Sequence, residues 1–237
     1  MKKFGMLVAT VLLAGCQGET MSASRAGNVQ FVKANCDPVT QSQCDEDLRA
    51  SLRALRATIH SDGVIKKEDQ IQAEQNKQAC DAGDAEGCEK LGNNYFSGTG
   101  VKQDDQVAAK YFTQACEAGK ASSCSSIGSY YRYGEGVDQD MHKAVAYFQK
   151  SCDAEHAQGC SNLAKMYAQG NGVEKNFVKT VEIYTQACNG GYNLACMQVG
   201  NMYEKGMGVD SDPVRATALF QKACDGGLKM GCRRVLQ

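Results

Sequence analysis

The feature that most constrains this chain is an internal repeat with a period of 36 residues. The stretch from Gly87 to Ser122 returns along the chain without insertion or deletion, together with its cysteine, tyrosine and glycine positions. A fixed period between about 20 and 50 residues indicates a stacked repeat array. A single unit of this size cannot bury its own apolar face, so the units are expected to stack into one continuous core.

Each unit is predicted to be a pair of antiparallel helices, which we call the A helix and the B helix. From Cys88 to Phe96, apolar and small residues recur at i, i+3, i+4 and i+7, the spacing of one helix face. Gly98 and Gly100 supply the positive-φ positions that a tight turn needs. A second helix is expected to begin near Asp104, whose side chain can cap the first turn. The predicted fold is all-α, a right-handed α/α solenoid of stacked helix pairs.

The cysteines indicate a disulfide framework. Apart from Cys16, twelve of the 13 cysteines form C-x7-C pairs: Cys36 with Cys44, Cys80 with Cys88, Cys116 with Cys124, Cys152 with Cys160, Cys188 with Cys196, and Cys224 with Cys232. Zinc sites prefer closer spacing, whereas such a set behind a secretion signal is typical of an oxidising compartment. Within the repeat, the first cysteine ends a B helix and the second begins the next A helix, so each disulfide is expected to link consecutive units. The pair of Cys36 and Cys44 does not share this phase and is assigned by elimination.

The first residues resemble a bacterial lipoprotein signal peptide. Residues 4–14 form an apolar run that is too short to span a bilayer, and Leu-Ala-Gly-Cys ending at Cys16 resembles a lipobox. We therefore expect a signal peptide over residues 1–15, lipidation of Cys16, and a polar tether over residues 16–35. The alternative is an ordinary signal peptide that leaves Cys16 as an unmodified thiol.

The remainder is predicted to divide into a degenerate N-terminal capping repeat, residues 36–79, and full repeats over residues 80–237 that end in a half-repeat cap. In the N-terminal segment, polar Gln75 and Asn76 stand where the next unit carries aromatic residues. Terminal repeats are expected to become polar on their outer face because no further unit covers them.

Charge excludes one class of partner. From Cys16 onward the chain carries 24 basic and 27 acidic residues, a net charge of −3, with no basic stripe. A nucleic-acid partner is therefore not expected. We expect a monomer without cofactors, attached to a bacterial membrane only through its lipid. The outer membrane is the favoured location, with the protein facing the periplasm or the cell surface.

The repeat motif resembles a known family. Leu-Gly-x-x-Tyr-x-x-Gly-x-Gly-Val-x-x-Asp, followed by Ala-x-x-Tyr-Phe-x-x-Ala-Cys, is similar to the Sel-one-like repeat, a relative of the tetratricopeptide repeat. With the C-x7-C pairs, the chain also resembles the Helicobacter cysteine-rich protein family. The resemblance covers residues 80–232 strongly. It implies a scaffold that holds peptides or partner proteins, or alternatively a weak β-lactamase that binds and hydrolyses β-lactams.

Residues for β-lactam chemistry are sparse. A serine enzyme would need an S-x-x-K motif, which the chain lacks, although Ser161 and Lys165 are spaced so that they could meet on one helix. The histidines, His60, His142 and His156, form no pattern typical of a zinc site. The sequence therefore assigns no catalytic residue and no metal ligand.

Two rows of varied residues on the A helices are candidates for a binding groove. The first row consists of Lys90, Ser126, Asn162 and Gln198, and the second row consists of Asn94, Tyr130, Met166 and Met202. In superhelices of this kind the A helices line the concave wall, and varied side chains on a regular backbone are suited to recognition. The predicted ligand is a peptide, a cell-wall fragment of the peptidoglycan type or a partner protein. The same variation is equally typical of packing between units, and the sequence leaves both interpretations open.

Overall fold

A computed structural model describes residues 22–23, 29–30 and 67–235 of the chain. The chain divides into two compact units, Met1–Ile65 and Lys66–Gln237. In the first unit, strands β1 (Ser22–Ala23) and β2 (Val29–Gln30) pair antiparallel, within the segment predicted to be the tether. The signal peptide and the lipidation of Cys16 lie outside the described residues and stay predictions.

Over residues 67–235 the second unit consists of ten α-helices joined by short turns. These are α1 (Lys67–Asp81), α2 (Ala85–Ser97), α3 (Asp105–Glu117), α4 (Ala121–Tyr133), α5 (Met141–Asp153), α6 (Ala157–Gln169), α7 (Phe177–Asn189), α8 (Asn193–Lys205), α9 (Pro213–Asp225) and α10 (Lys229–Val235). Each helix packs against the next along the chain. Helices α2, α4, α6 and α8 are the A helices, and α3, α5, α7 and α9 are their B helices. The predicted all-α solenoid is confirmed.

Local chemistry sets where these helices begin and end. Every B helix has the predicted N-cap, and its side-chain oxygen accepts backbone N–H groups of the first turn; these caps are Asp104, Asp140, Asn176 and Asp212. Pro213 occupies the first turn of α9, where its missing N–H costs nothing. Each A helix ends at a left-handed glycine, such as Gly98 with φ of 70°.

The second turn glycine also brings consecutive units into backbone contact. Gly136, with φ of 65°, lies so close to the first turn of the preceding B helix that an added Cβ would be 2.2 Å from the Asp105 carbonyl oxygen. Glycine is required here both by its left-handed backbone and by this contact.

The core runs between the helix pairs, and a small residue on each A helix makes room for an aromatic ring of the B helix. A Cβ added to Gly128 would lie 2.7 Å from the Phe148 ring, and Gly92 and Gly200 face Phe112 and Phe220 in the same way. In the third pair the corresponding residues are Ala164 and Tyr184, both buried. The small residues on the A helices therefore allow the two helices of each pair to approach closely.

Five of the six predicted disulfides lie in the described residues, and all five form: Cys80–Cys88, Cys116–Cys124, Cys152–Cys160, Cys188–Cys196 and Cys224–Cys232. Each links the end of a B-type helix to the next A-type helix, as predicted. In the chain-entropy account, closing a ring this small stabilises the fold by about 2–3 kcal/mol. The first four are buried, whereas Cys224 and Cys232 are each partly exposed.

The sixth predicted disulfide is not among those that the structure describes. Cys36 and Cys44 both lie outside the described residues. The bond between Cys36 and Cys44 therefore stays a prediction, and it does not share the repeat phase that the five observed disulfides have in common.

The two ends of the array differ from its middle. Helix α1, the described part of the predicted N-terminal cap, buries only Ala73, Asn76 and Cys80 and is otherwise largely exposed. Helix α10 lies in the segment predicted to be a C-terminal half-repeat, and it packs on α9.

Candidate recognition surface

The second row is buried. At most 9% of the surface of each residue is accessible to solvent, and Met166 has no accessible surface; the four residues are Asn94, Tyr130, Met166 and Met202. A side chain that water cannot reach cannot receive a ligand without repacking the core. The structure therefore favours the packing interpretation for the second row, against the prediction that it lines a groove.

A contact that recurs between units explains this burial. Tyr130 packs its ring edge against Phe112 of the preceding B helix, with ring centroids 5.6 Å apart. One unit earlier, the same two positions hold Asn94 and Asn76, and Asn76 Nδ2 donates to Asn94 Oδ1 at 2.7 Å. In these two units the second-row side chain thus matches its partner on the neighbouring helix, aromatic with aromatic and amide with amide.

The first row, by contrast, reaches the surface. Lys90 and Gln198 are exposed, and Ser126 and Asn162 are partly exposed. Asn162 Nδ2 donates to Ser125 Oγ of the preceding A helix at 3.2 Å, while its Oδ1 accepts no hydrogen bond from the described residues. Gln198 makes no side-chain hydrogen bond within the described part of the chain. These side chains keep hydrogen-bonding capacity that the fold does not use.

Two further positions on each A helix share this surface. One helical turn and two turns after the first row, the side chains of α4, α6 and α8 are again at least partly exposed. We define the A-helix strip as Ser126, Ser129, Tyr133, Asn162, Lys165, Gln169, Gln198, Asn201 and Lys205. Apart from Tyr133, an extra aromatic residue of the second unit that could line a groove, the sequence pattern beside the core face did not indicate the added positions. These positions lie three and seven residues after each first-row residue, so helical periodicity alone would have placed them on the same face.

Two of the three helices that carry the strip are in direct contact. Helices α4 and α6 contact each other directly, and Arg132 Nη2 donates to Gln169 Oε1 at 3.2 Å between them. The guanidinium of Arg132 also lies 5.0 Å from the ring centroid of Tyr133. These contacts hold part of the strip in a fixed arrangement.

Carboxylates on the A helices are paired with cations of the following unit. Glu89 lies 3.2 Å from Lys120 Nζ, and Glu86 pairs with the same ammonium group, which lowers the pKa of the Glu86 carboxyl. Glu204 accepts a hydrogen bond from Arg234 Nη2 at 2.6 Å. Lys90 also lies 3.5 Å from Glu86.

The geometry does not support the residues considered for β-lactam hydrolysis. Ser161 is buried, with 2% exposure, so its hydroxyl is not accessible to a substrate. Within residues 67–235, Ser151 Oγ lies 3.2 Å from His156 Nδ1. The Ser151 hydroxyl donates its single proton to the Ala121 carbonyl oxygen at 2.7 Å. The imidazole of His156 must therefore donate to the serine oxygen rather than accept from it.

The same histidine is partly buried, and this burial lowers its pKa. Within the described residues no group of three or more His, Cys, Asp or Glu side chains could hold a metal ion. His142 is exposed and His60 lies outside the described residues. Among the described helices, none has the length and apolar character needed to cross a bilayer.

Stacked helix pairs, each joined to the next by a disulfide, define a helical-repeat scaffold protein. A family model of the Sel1 repeat matches four consecutive segments, residues 85–120, 121–156, 157–192 and 193–228. The chain therefore belongs to the Sel1 repeat family, whose scaffolds typically bind proteins. A search of curated proteins found no match.

Solved structures share this architecture. The chain is 29% identical to a protective antigen of uropathogenic Escherichia coli strains with a TM-score of 0.66; the match covers 69% of this chain and 35% of the antigen. It is 23% identical to a Sel1 repeat protein from Oxalobacter formigenes, with a TM-score of 0.61 and 69% and 73% of the two chains covered. It is 29% identical to Helicobacter pylori cysteine rich protein B, with a TM-score of 0.46 and 56% and 95% covered. The chain thus spans about a third of the E. coli antigen.

Proposed function

We propose that this protein is an extracytoplasmic binding scaffold that holds an extended segment of a partner polypeptide along the A-helix strip. The observation that carries the proposal is the exposed hydrogen-bonding capacity repeated on successive A helices. Asn162 Oδ1, Gln198 and Asn201 make no hydrogen bond there within the described residues. Amide side chains both donate and accept, as the alternating N–H and C=O groups of an extended peptide require.

The dimensions of the strip suit an extended peptide. Packed helices lie about 8–10 Å apart, and an extended chain rises about 3.3 Å per residue. Each unit would therefore meet about three residues of ligand, and the three A helices of the strip would meet about nine. A peptide ligand also fits the side chains better than a glycan does. Tyr133 is the single aromatic residue of the strip, whereas sugar rings pack their apolar faces on aromatic platforms.

The disulfides support a location outside the cytoplasm. Five disulfides in the described residues require an oxidising compartment to form and persist. We further propose that a lipid on Cys16 anchors the protein in the bacterial envelope, as the lipobox-like sequence suggests. Substitution Cys16→Ala should move the protein from the membrane fraction to the soluble fraction and remove the lipid mass. A variant that stays in the membrane fraction would contradict the anchor.

Peptide selection tests the binding proposal. Random dodecapeptides displayed on phage are selected on the purified protein, and the affinity of enriched peptides is measured by fluorescence anisotropy. The test variant carries Asn162→Ala, Gln198→Ala and Asn201→Ala. The matched control carries Gln149→Ala and Gln221→Ala, which remove exposed amides from the B helices α5 and α9. Each lost hydrogen bond is worth about 0.5–1.5 kcal/mol, so the test variant should bind at least tenfold more weakly.

Two results would overturn the proposal. One is the absence of any enriched peptide. The other is a peptide whose affinity falls in the B-helix control but not in the test variant, because this would place the site on the opposite helices. Thermal unfolding of both variants checks that they remain folded.

A further inference from the structure

The charge of the A-helix strip points to the kind of polypeptide that it accepts. Helices α4 and α6 contain no acidic residue. On α8 the single carboxylate, Glu204, is paired with Arg234. The same helices carry Arg132, Lys165 and Lys205, and each of these is at least partly exposed. A ligand on this surface therefore meets cationic groups and no unpaired carboxylate.

Helix stability does not require this depletion of acidic residues. Negative side chains are favoured in the first turn of a helix, where they interact with the helix dipole. The first turns of α4, α6 and α8 contain none, and neither do those of the B helices α5, α7 and α9. Helices α1, α2 and α3 do carry acidic residues in their first turns: Glu68, Asp69, Glu86 and Asp105. The dipole explains cations at the ends of A helices, such as Lys205, but not the missing carboxylates at their beginnings.

The B helices lack this segregation of charge. Their exposed residues include both Asp153 and Lys150 on α5 and both Asp225 and Lys222 on α9. An anionic ligand that approaches the B helices would meet repulsion as well as attraction. The chain as a whole is not basic, with 27 acidic against 26 basic residues. The asymmetry is local to α4, α6 and α8, because the A helix α2 carries Glu86 and Glu89.

We propose that the A-helix strip selects acidic polypeptide segments. The carboxylates of the ligand meet Lys165 and Lys205 of the strip and Arg132 beside it, while its backbone bonds the amides of the strip. This inference rests on the proposed function, since it names the class of ligand for the same surface. Complementary charge contributes to specificity and to the rate of association more than to raw affinity. The preference therefore weakens at high salt, because exposed charges are screened.

The test compares three labelled dodecapeptides on the purified protein: alternating Glu–Ser, its uncharged isostere Gln–Ser, and Lys–Ser. Fluorescence anisotropy is recorded at low and at high sodium chloride concentration. We expect the Glu–Ser peptide to bind at least tenfold more tightly than the Gln–Ser peptide at low salt, and the Lys–Ser peptide to bind most weakly. The double variant Lys165→Gln with Lys205→Gln should lose at least threefold in affinity for Glu–Ser. The control Lys150→Gln with Lys222→Gln removes the same charge from the B helices and should change affinity less than twofold.

The outcomes separate this inference from the proposed function. Equal binding of Glu–Ser and Gln–Ser, or no binding of Glu–Ser while phage selection yields neutral binders, would overturn the acidic preference and leave peptide binding standing. Equal losses in the two lysine variants would also overturn it, because the attraction would then be general. A single-stranded oligodeoxynucleotide that competes as well as the Glu–Ser peptide would show unspecific binding of polyanions and contradict the proposal. If the double variant unfolds, Lys205→Gln alone is compared with Lys222→Gln.

Discussion

The first row and the second row lie four residues apart on the same A helices, yet they have opposite environments. Asn162 reaches the surface, while Met166, one helical turn further on, is fully buried. Both rows vary from unit to unit, and variation by itself does not distinguish them. Two second-row residues, Tyr130 and Asn94, differ because each fits a partner on the preceding helix, Phe112 and Asn76. The first row has no such partner there, so its side chains are available to a ligand.

The largest effect expected from this comparison is on stability at the second row. Met166→Ala should lower the free energy of unfolding by about 2–5 kcal/mol, because it removes a buried side chain and leaves a cavity. Asn162→Ala should change it by less than about 0.5 kcal/mol, as is usual for a surface position. Urea denaturation monitored by circular dichroism measures both. Similar losses in the two variants would contradict the division into a packing row and a surface row.

The hydrogen-bonded pair of Asn76 and Asn94 gives a sharper test of why the second row varies. Asn94→Ala leaves Asn76 without its partner at 2.7 Å and should cost about 1–3 kcal/mol, the penalty for an unsatisfied buried polar group. The joint change of Asn76→Phe with Asn94→Tyr recreates the pair found at Phe112 and Tyr130. It should be more stable than either single change.

Denaturation of all three variants measures this coupling. If the joint variant loses the sum of the two single losses, the positions do not interact and the explanation of the second row is wrong.

These cases show what the sequence could predict and where it could not. The caps at Asp104 and Asp140, the turn glycines and the five described disulfides depend on chemistry within a few residues, and the structure confirms each of them. The burial of Tyr130 depends instead on Phe112, 18 positions earlier on another helix. An amphipathic pattern fixes one face of the A helix, but not which flanking position meets the neighbouring unit. The pairing of Asn76 with Asn94 offered a signal, because two polar residues replace two aromatic ones together.

Burial separates the cysteines in the same way as it separates the rows. Cys116 and Cys124 are almost fully buried, whereas Cys224 and Cys232 are partly exposed although their spacing is identical. A thiolate reductant must reach a sulfur atom to attack it. We therefore expect the Cys224–Cys232 disulfide to be reduced before Cys116–Cys124 as dithiothreitol is increased. Differential alkylation with mass spectrometry identifies the order, and earlier reduction of Cys116–Cys124 would contradict it.

The smallest effect concerns pH and His156. Burial lowers the pKa of this imidazole below its ordinary 6.5, although the nearby Glu89 carboxylate opposes the shift. Above pH 6.5 the imidazole is neutral in both the folded and the unfolded protein, so its burial does not lower the free energy of unfolding. As the pH falls through this value, the unfolded chain takes up the proton more readily, and the fold loses stability.

Thermal unfolding between pH 7.5 and pH 5.5 should show this loss, and His156→Gln should reduce it. His142→Gln, which removes an exposed histidine, is the matched control. If His156→Gln loses as much stability on acidification as the unmodified protein, His156 is not the cause of the pH dependence.

The most direct test of the account is to observe the side-chain amides while a selected peptide binds. In ¹H–¹⁵N spectra of the protein, the NH₂ signals of Asn162 and Gln198 report the A-helix strip. Those of Gln149 and Gln221 report the B helices, where they bond Asp153 and Asp225. If the peptide binds the A-helix strip, its titration shifts the Asn162 and Gln198 signals and leaves the Gln149 and Gln221 signals in place. Shifts confined to Gln149 and Gln221 would place the ligand on the B helices and contradict the account.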